Sequence, residues 1–366
     1  MAASALVDRS NRGQPVALIA EAPLAAAAVR WRSGSGEQVT VIAKLSFAIR
    51  EGECVLRSSA EPIALGDQHA GGRRGSSVAI AGDCAPFKRA PEVLLVGKAF
   101  AAGAVPCTKI ACRRKVGSVD KRWEAWGPRV LDGHDARTLE AISEAPLCYE
   151  AAAGGPDSEN PVGVLAPQYG GASLGHLPSL QPSGFSPRPG APLPCVGLGP
   201  VAETWPSRQR RLRPEDRAWL AEPSLRELPS GFDGRFFCAA PPDQLLEHPV
   251  REGEPIVLEG LTPCGGRVET RLPSLSPRLL LQGGFGDAPV LVADTLVVDT
   301  ERQVISVVYR ARVLLRPGEG LRLRVALSQR GREIDPARLE QDPVAAVGAR
   351  AAWIAPLPAR AWAAAA

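Results

Sequence analysis

Along residues 39–49 the chain alternates. Val39, Val41, Ala43, Leu45, Phe47 and Ile49 take the odd positions, and Thr40, Lys44 and Ser46 are among the even ones. A period of two sends successive side chains to opposite faces of an extended strand, so this stretch predicts one buried and one wetted face. Residues 28–31 precede it across a Ser33-Gly34-Ser35-Gly36 turn, and together they read as a hairpin. Residues 305–315 repeat the alternation with Arg310 and Arg312 on the polar side, and 321–327 repeat it with Arg322 and Arg324 outward. Residues 93–96 form a continuous apolar run, the pattern of a strand covered on both faces. Further strand candidates are 109–115, 123–126, 256–258, 268–272, 279–281 and 290–298. Strands that succeed one another without crossover helices predict antiparallel meanders.

Helix signals are few. Residues 136–143, Pro214–Ala221 with proline in its first turn, and 335–341 with Asp335 as cap and Pro336 at N1 are the candidates. Between the strand-rich stretches the composition changes: residues 156–229 hold 14 of the 35 prolines, so a regular ladder cannot run through them. Leu174, Leu177, Leu180, Phe185, Trp205, Trp219 and Leu220 lie in this stretch and need an interior, so it is expected to wrap the sheets as an ordered band. The predicted fold is mainly β, with antiparallel sheets in a sandwich-like arrangement, a Pro/Gly-rich irregular wrapping segment and a few short helices. The expected segments are 1–16 as a flexible N-terminus, 17–150 as an N-terminal β-lobe, 151–235 as the wrapping segment, 236–330 as a C-terminal β-lobe, and 331–366 as a short helix with an Ala-rich tail. Residues 92–97 and 255–260 share a strand-then-glycine pattern, compatible with a duplication that makes the lobes related and equally with coincidence.

Charge narrows the function classes. With 43 Lys and Arg against 39 Asp and Glu, the net +4 gives no strong field toward nucleic acid or membrane. The apolar stretch 16–29 is broken by Glu21 and Pro23 and lacks a basic lead-in, so it does not read as a secretory signal. No run reaches the roughly 18 apolar residues of a membrane span. The eight cysteines form no C-x-x-C pair and are expected to be reduced, mostly buried, in a cytoplasmic protein. Gly171-Ala172-Ser173-Leu174-Gly175 matches the nucleophile-elbow spacing, yet neither a strand before it nor a helix after it is written in the sequence. His69, His134, His176 and His248 are far apart without a ligand at i+3 or i+4, so no metal site is expected. No phosphate-cradling glycine motif is present, and no cofactor is expected. The basic clusters at 208–213 and 113–115 lack interleaved aromatics, so nucleic acid is not the expected partner.

One string is distinctive: Phe232-Asp233-Gly234-Arg235-Phe236-Phe237-Cys238-Ala239-Ala240-Pro241-Pro242-Asp243-Gln244. It resembles the FDWRFFNAAPPDQ hallmark of a bacterial family catalogued as a domain of unknown function and associated with type VI secretion. Other blocks resemble that family in the same order. They are Asp83, Pro86, Lys88 and Glu92 through Gly97; Gly154-Gly155 with Asn160; Gly197 to Pro200 with Trp205 and Arg208; Gly253 to Leu261; and Asp294-Thr295 with Tyr309-Arg310. The resemblance covers roughly residues 17 to 327. Ala153, Gly234 and Cys238 depart from the family's Phe, aromatic and Asn at those positions.

The resemblance implies a non-catalytic cytoplasmic adaptor or chaperone that binds a PAAR-type or VgrG spike protein or a toxin effector. The alternatives are a structural component that remains with the secreted spike and, from the Gly171–Gly175 spacing and not from the resemblance, a hydrolase using Ser173. Candidate partner-binding or structural residues are Phe232, Asp233, Arg235, Phe236, Phe237, Pro241, Pro242, Asp243, Gln244, Trp205 and Arg208. From the residues alone, the three phenylalanines are apolar anchors where the proline-rich band ends, and Asp243 and Gln244 are suited to cap a short helix. Binding is expected by edge-strand pairing or in a groove lined by the Pro/Gly band.

Overall fold

The computed structural model describes residues 16–132, 135–165, 175–188, 191–282, 288–315, 321–329, 332–333, 350–351 and 353–355. The Ser173 elbow and the helix expected at 335–341 lie outside them. The fold is mainly β, and its largest sheet takes the strands in the order Trp353–Ala355, Ala25–Ser33, Gly36–Ala48, Val304–Leu314, Val292–Asp299 and Glu92–Val96, with Val55–Leu56 paired to Gly36–Ala48. A second sheet runs Leu275–Gln282, Leu321–Gln329, Val16–Ala20 and Arg350–Ala351, and a third runs Leu180–Pro182, Val119–Trp126, Lys109–Val116, Pro255–Glu259 and Arg267–Arg271.

Local hairpins fall where alternation and turn residues predict them: Ala25–Ser33 with Gly36–Ala48, Lys109–Val116 with Val119–Trp126, and Val292–Asp299 with Val304–Leu314. The sheets are nevertheless not simple meanders. Glu92–Val96 pairs parallel with Val292–Asp299, and Val16–Ala20 parallel with Leu321–Gln329. Alternation fixes which side of a strand is buried but carries no information about which distant strand completes the ladder. Each of the three large sheets joins strands from both β segments, as where Gly36–Ala48 pairs with Val304–Leu314 and Lys109–Val116 with Pro255–Glu259.

The odd positions of 39–49 and 305–315 enter one continuous apolar core, together with Leu18, Leu323 and Val325 of the second sheet and Ile110, Trp123 and Leu258 of the third. Burying side chains of this size contributes about 1.5–3 kcal/mol each relative to exposure.

Of the helix candidates, Pro214–Ala221 forms with Pro214 in its first turn, and the Asp216 carboxylate accepts the Arg213 backbone N–H at 2.9 Å. Residues 136–143 do not form one; Asp135–Thr138 is a strand on Arg129–Asp132, which is itself flanked by Gly175–Leu177. An eight-residue helix is marginal alone, and here the neighbouring strand supplies its backbone with partners instead.

The proline-rich band is ordered where it is described, and Leu177, Leu180, Trp205, Trp219 and Leu220 are all buried, with Phe185 half-buried. It also closes sheet margins: the Leu198 carbonyl accepts from Leu95 N–H, and Pro223 and Leu228 exchange backbone bonds with Arg32. All eight cysteines are free, four of them buried. Among the described residues no helix is long and apolar enough to cross a membrane.

Candidate functional site

The outer face of the largest sheet, expected to be wetted, is covered. Lys44 and Arg310 lie on that face of Gly36–Ala48 and Val304–Leu314 and are almost completely buried. Three ion pairs fill the layer above it: Lys44 with Asp83, Lys88 with Glu92, and Arg310 with Asp294, every side chain between 0 and 11% exposed. An alternating strand looks the same in sequence whether its polar face meets water or a second layer of protein; here the covering layer comes from residues 57–90 and the band.

Each charge is held by more than its partner. Lys44 Nζ donates to the Pro62 carbonyl at 3.0 Å, and Asp83 accepts the Ala64 N–H at 2.7 Å. Arg310 Nε donates to the Ala85 carbonyl at 3.2 Å. The Glu92 carboxylate accepts the Ala240 N–H at 2.9 Å, which ties the layer directly to the 232–244 string. Burial pushes the Asp294 carboxyl up, and the Arg310 charge opposes that shift. Burial pushes the Cys84 thiol up to about 12, so this cysteine is a packed thiol and not a nucleophile.

Beside the ionic layer sits an aromatic cluster, in which Phe232, Phe236 and Phe237 pack with Trp31, Trp219 and the ring of Phe87. Trp31 Nε1 donates to Thr40 Oγ1 at 3.0 Å, and that hydroxyl donates to the Pro86 carbonyl at 2.6 Å, linking cluster and sheet. Arg208 is buried beneath it. Its Nε donates to the Phe236 carbonyl at 2.8 Å and its Nη1 to the Val201 carbonyl at 3.0 Å, while Asp67 and Glu203 lie 3.8 and 3.7 Å away. Burial lifts the Glu203 carboxyl to about 7, against the pull of Arg208 and with a push from Asp67.

The remaining hallmark residues divide between interior and surface. Trp205 is buried edge-on against Tyr149, with centroids 4.8 Å apart. Asp233 caps the short turn Gly234–Phe237 by accepting the Arg235 N–H. Its carboxyl is held down at about 2, chiefly by the Arg235 guanidinium. Pro241 and Pro242 lead into the turn Pro242–Gln244, but Asp243 and Gln244 do not cap it. Asp243 instead pairs at 2.7 Å with Lys121, and buried Gln244 accepts from Arg114 and donates at 2.8 Å to the Gly197 carbonyl. Trp205, Arg208, Phe236, Phe237 and Gln244 are therefore interior contacts, whereas Arg235, Pro242 and Asp243 face solvent.

The departures from the family pattern are also interior. A Cβ at Gly234 would fall 2.8 Å from the Phe87 ring, so this chain carries its aromatic bulk at Phe87 and leaves position 234 bare. Cys238 and Ala153 are buried. The charged residues Lys44, Asp83, Lys88, Glu92, Asp294 and Arg310 are not among the candidate site residues, although all but Lys44 stand in the quoted blocks. Charge recurring in separate blocks that are otherwise apolar is the signal that could have found them.

On another side of the molecule, the ladder between Lys109–Val116 and Pro255–Glu259 stops at Arg113. Gly260 ends it with φ +66°; a Cβ there would lie 2.5 Å from the Ala111 carbonyl oxygen, so only glycine closes this turn. Past that point, among the described residues, no strand pairs with residues 109–112 on this side, and an open groove of about 560 Å³ lies there, lined by Phe100, Ala102, Val105, Ile110 and Gly260. Val105 is 66% exposed at its margin. Among the described residues no group of three His, Cys, Asp or Glu side chains is placed to hold a metal ion.

Residues 35–310 match the model of a family described as "Uncharacterized protein conserved in bacteria (DUF2169)", and the chain belongs to that family. No curated protein and no solved structure matches the chain.

Proposed function

As a member of this bacterial family, the protein acts, we propose, as a non-catalytic cytoplasmic adaptor that grips another protein in the groove beside residues 109–112. The observation that carries this reading is the interrupted ladder: a strand that, among the described residues, has no paired strand on one side past Arg113, next to exposed apolar side chains, is the arrangement that accepts an added strand. The band through Leu198, and Leu245 just past the 232–244 string, lie against the margin of Glu92–Val96, so that margin does not offer a free edge. The class of client comes from the resemblance of the 232–244 string, which points to a PAAR-type or VgrG spike protein or a toxin effector awaiting secretion.

The test is co-purification of the tagged protein with the spike and effector proteins encoded beside it. One of them is expected to be retained, and Val105→Asp is expected to release it while the circular dichroism spectrum stays unchanged. Failure to retain any neighbouring candidate overturns the secretion reading, and retention indifferent to Val105→Asp overturns the groove.

A further inference from the structure

Between the ionic face of the largest sheet and the segments that cover it lies a second, more enclosed cavity of about 200 Å³. Its floor is the outward face of three strands, with Leu94, Val96, Val297 and Val304 supplying an apolar surface. Its roof is made by residues 61–64 and 79–82, and exposed Pro62, Gln68, Ala79 and Ile80 surround the opening. A dry engineered cavity of about 150 Å³ takes benzene, so this one has room for a compact body of roughly eight to ten heavy atoms.

Part of the lining is polar. Lys44 and Lys88 belong to it, and each ammonium has three donors. Lys44 uses two, on Pro62 and Asp83, and Lys88 uses one, on Glu92. Buried donors without partners are costly, and a ligand acceptor placed there would relieve that cost. The charges around these lysines already balance: Lys44, Lys88 and Arg310 against Asp83, Glu92 and Asp294. At the rim Arg302 faces Glu61, with Asp299 beside them, so a carboxylate would add an unbalanced buried negative charge.

We propose that this cavity is a binding site for a compact, mainly apolar small molecule carrying one neutral hydrogen-bond acceptor, such as a ketone or amide carbonyl. The acceptor meets a spare donor of Lys44 or of Lys88, and the apolar body lies on Leu94, Val96 and Val297. A free molecule fits better than a client's chain, because a space of about 200 Å³ holds a compact body and not a run of backbone. The site is separate from the groove at residues 109–112, so the two readings stand or fall independently.

Calorimetric titration of the full chain with acetophenone, isopropylbenzene and benzoate tests the assignment. Saturable acetophenone binding is expected, with isopropylbenzene about tenfold weaker, the equivalent of one hydrogen bond of about 1.4 kcal/mol. Benzoate is expected to be weaker than acetophenone. Val96→Phe on the floor and Ala79→Trp at the opening are each expected to weaken acetophenone binding at least tenfold; both side chains are at least partly exposed, and an unchanged circular dichroism spectrum verifies the fold. Absence of saturable acetophenone binding, equal binding by isopropylbenzene, stronger binding of benzoate, or binding unaffected by both variants overturns the proposal. Release of a co-purifying client by Ala79→Trp would identify a client side chain as the occupant, and the free-ligand reading would fall.

Discussion

The two faces of the largest sheet both lie inside the molecule, yet different forces close them. On the inner face Val41, Leu45, Phe47, Ile305 and Val307 pack against apolar side chains of the other sheets, an attraction that needs only complementary shape. On the outer face Lys44, Lys88 and Arg310 meet Asp83, Glu92 and Asp294, an attraction that must first offset the loss of water around six charges. The inner face thus supplies most of the driving force for folding. The outer face supplies register, because an ion pair that loses its partner is penalised far more than a methyl group that shifts.

The sharpest way to break this contrast is to orphan one charge. Lys88→Met leaves Glu92, which is wholly buried, without its cation, and urea unfolding is expected to show a loss of about 3–5 kcal/mol. Adding Glu92→Gln should restore much of that loss, since the amide oxygen can still accept the Ala240 N–H while the stranded charge is gone. No such rescue by a second substitution is expected on the inner face. There Leu45→Ala should cost about 3 kcal/mol in the same assay, through lost burial and the cavity left behind.

The smallest expected effect separates the faces by pH. Glu203 sits with Asp67 around Arg208, outside the apolar inner face, and its carboxyl is lifted to about 7 in the folded chain from an ordinary value of 4.5. The folded state therefore binds this proton more tightly than the unfolded state. Its contribution is fully present below about pH 4.5 and is lost as pH rises toward 7. The difference between wild type and Glu203→Gln, measured by denaturant titration across this window, isolates the residue. A wild-type slope identical to that of Glu203→Gln would show that Glu203 does not titrate there, whereas Leu45→Ala should run parallel to wild type.

The inner face was readable from sequence because a period of two in apolar residues has one physical cause. The odd positions of 39–49 and 305–315 are buried as the pattern requires. The outer face was not, because Lys44 and Arg310 fit a wetted strand as well as they fit a buried ion pair. Their partners Asp83 and Asp294 are 39 and 16 residues away in the chain, and nothing in a single sequence ties them together. The same limit hid the parallel pairs. The anchoring by Phe236 and Phe237 was legible from size and context, as was Pro214–Ala221 from its proline. Gln244 was not, since a glutamine after two prolines suits a helix cap and only the fold brings Arg114 within reach.

The pairing of Gly36–Ala48 with Val304–Leu314 also sets a schedule for biosynthesis. Ser46 meets Ser306 across 260 residues, and at about 5–20 residues per second a ribosome needs roughly 13 to 50 s to make the intervening chain. Through that interval a long, strongly β-forming strand has one edge waiting, the condition under which nascent chains pair with the wrong neighbour. Thr40, Lys44 and Ser46 interrupt what would otherwise be an unbroken apolar ribbon, and before they become part of a packed interior they keep the strand from templating aggregation.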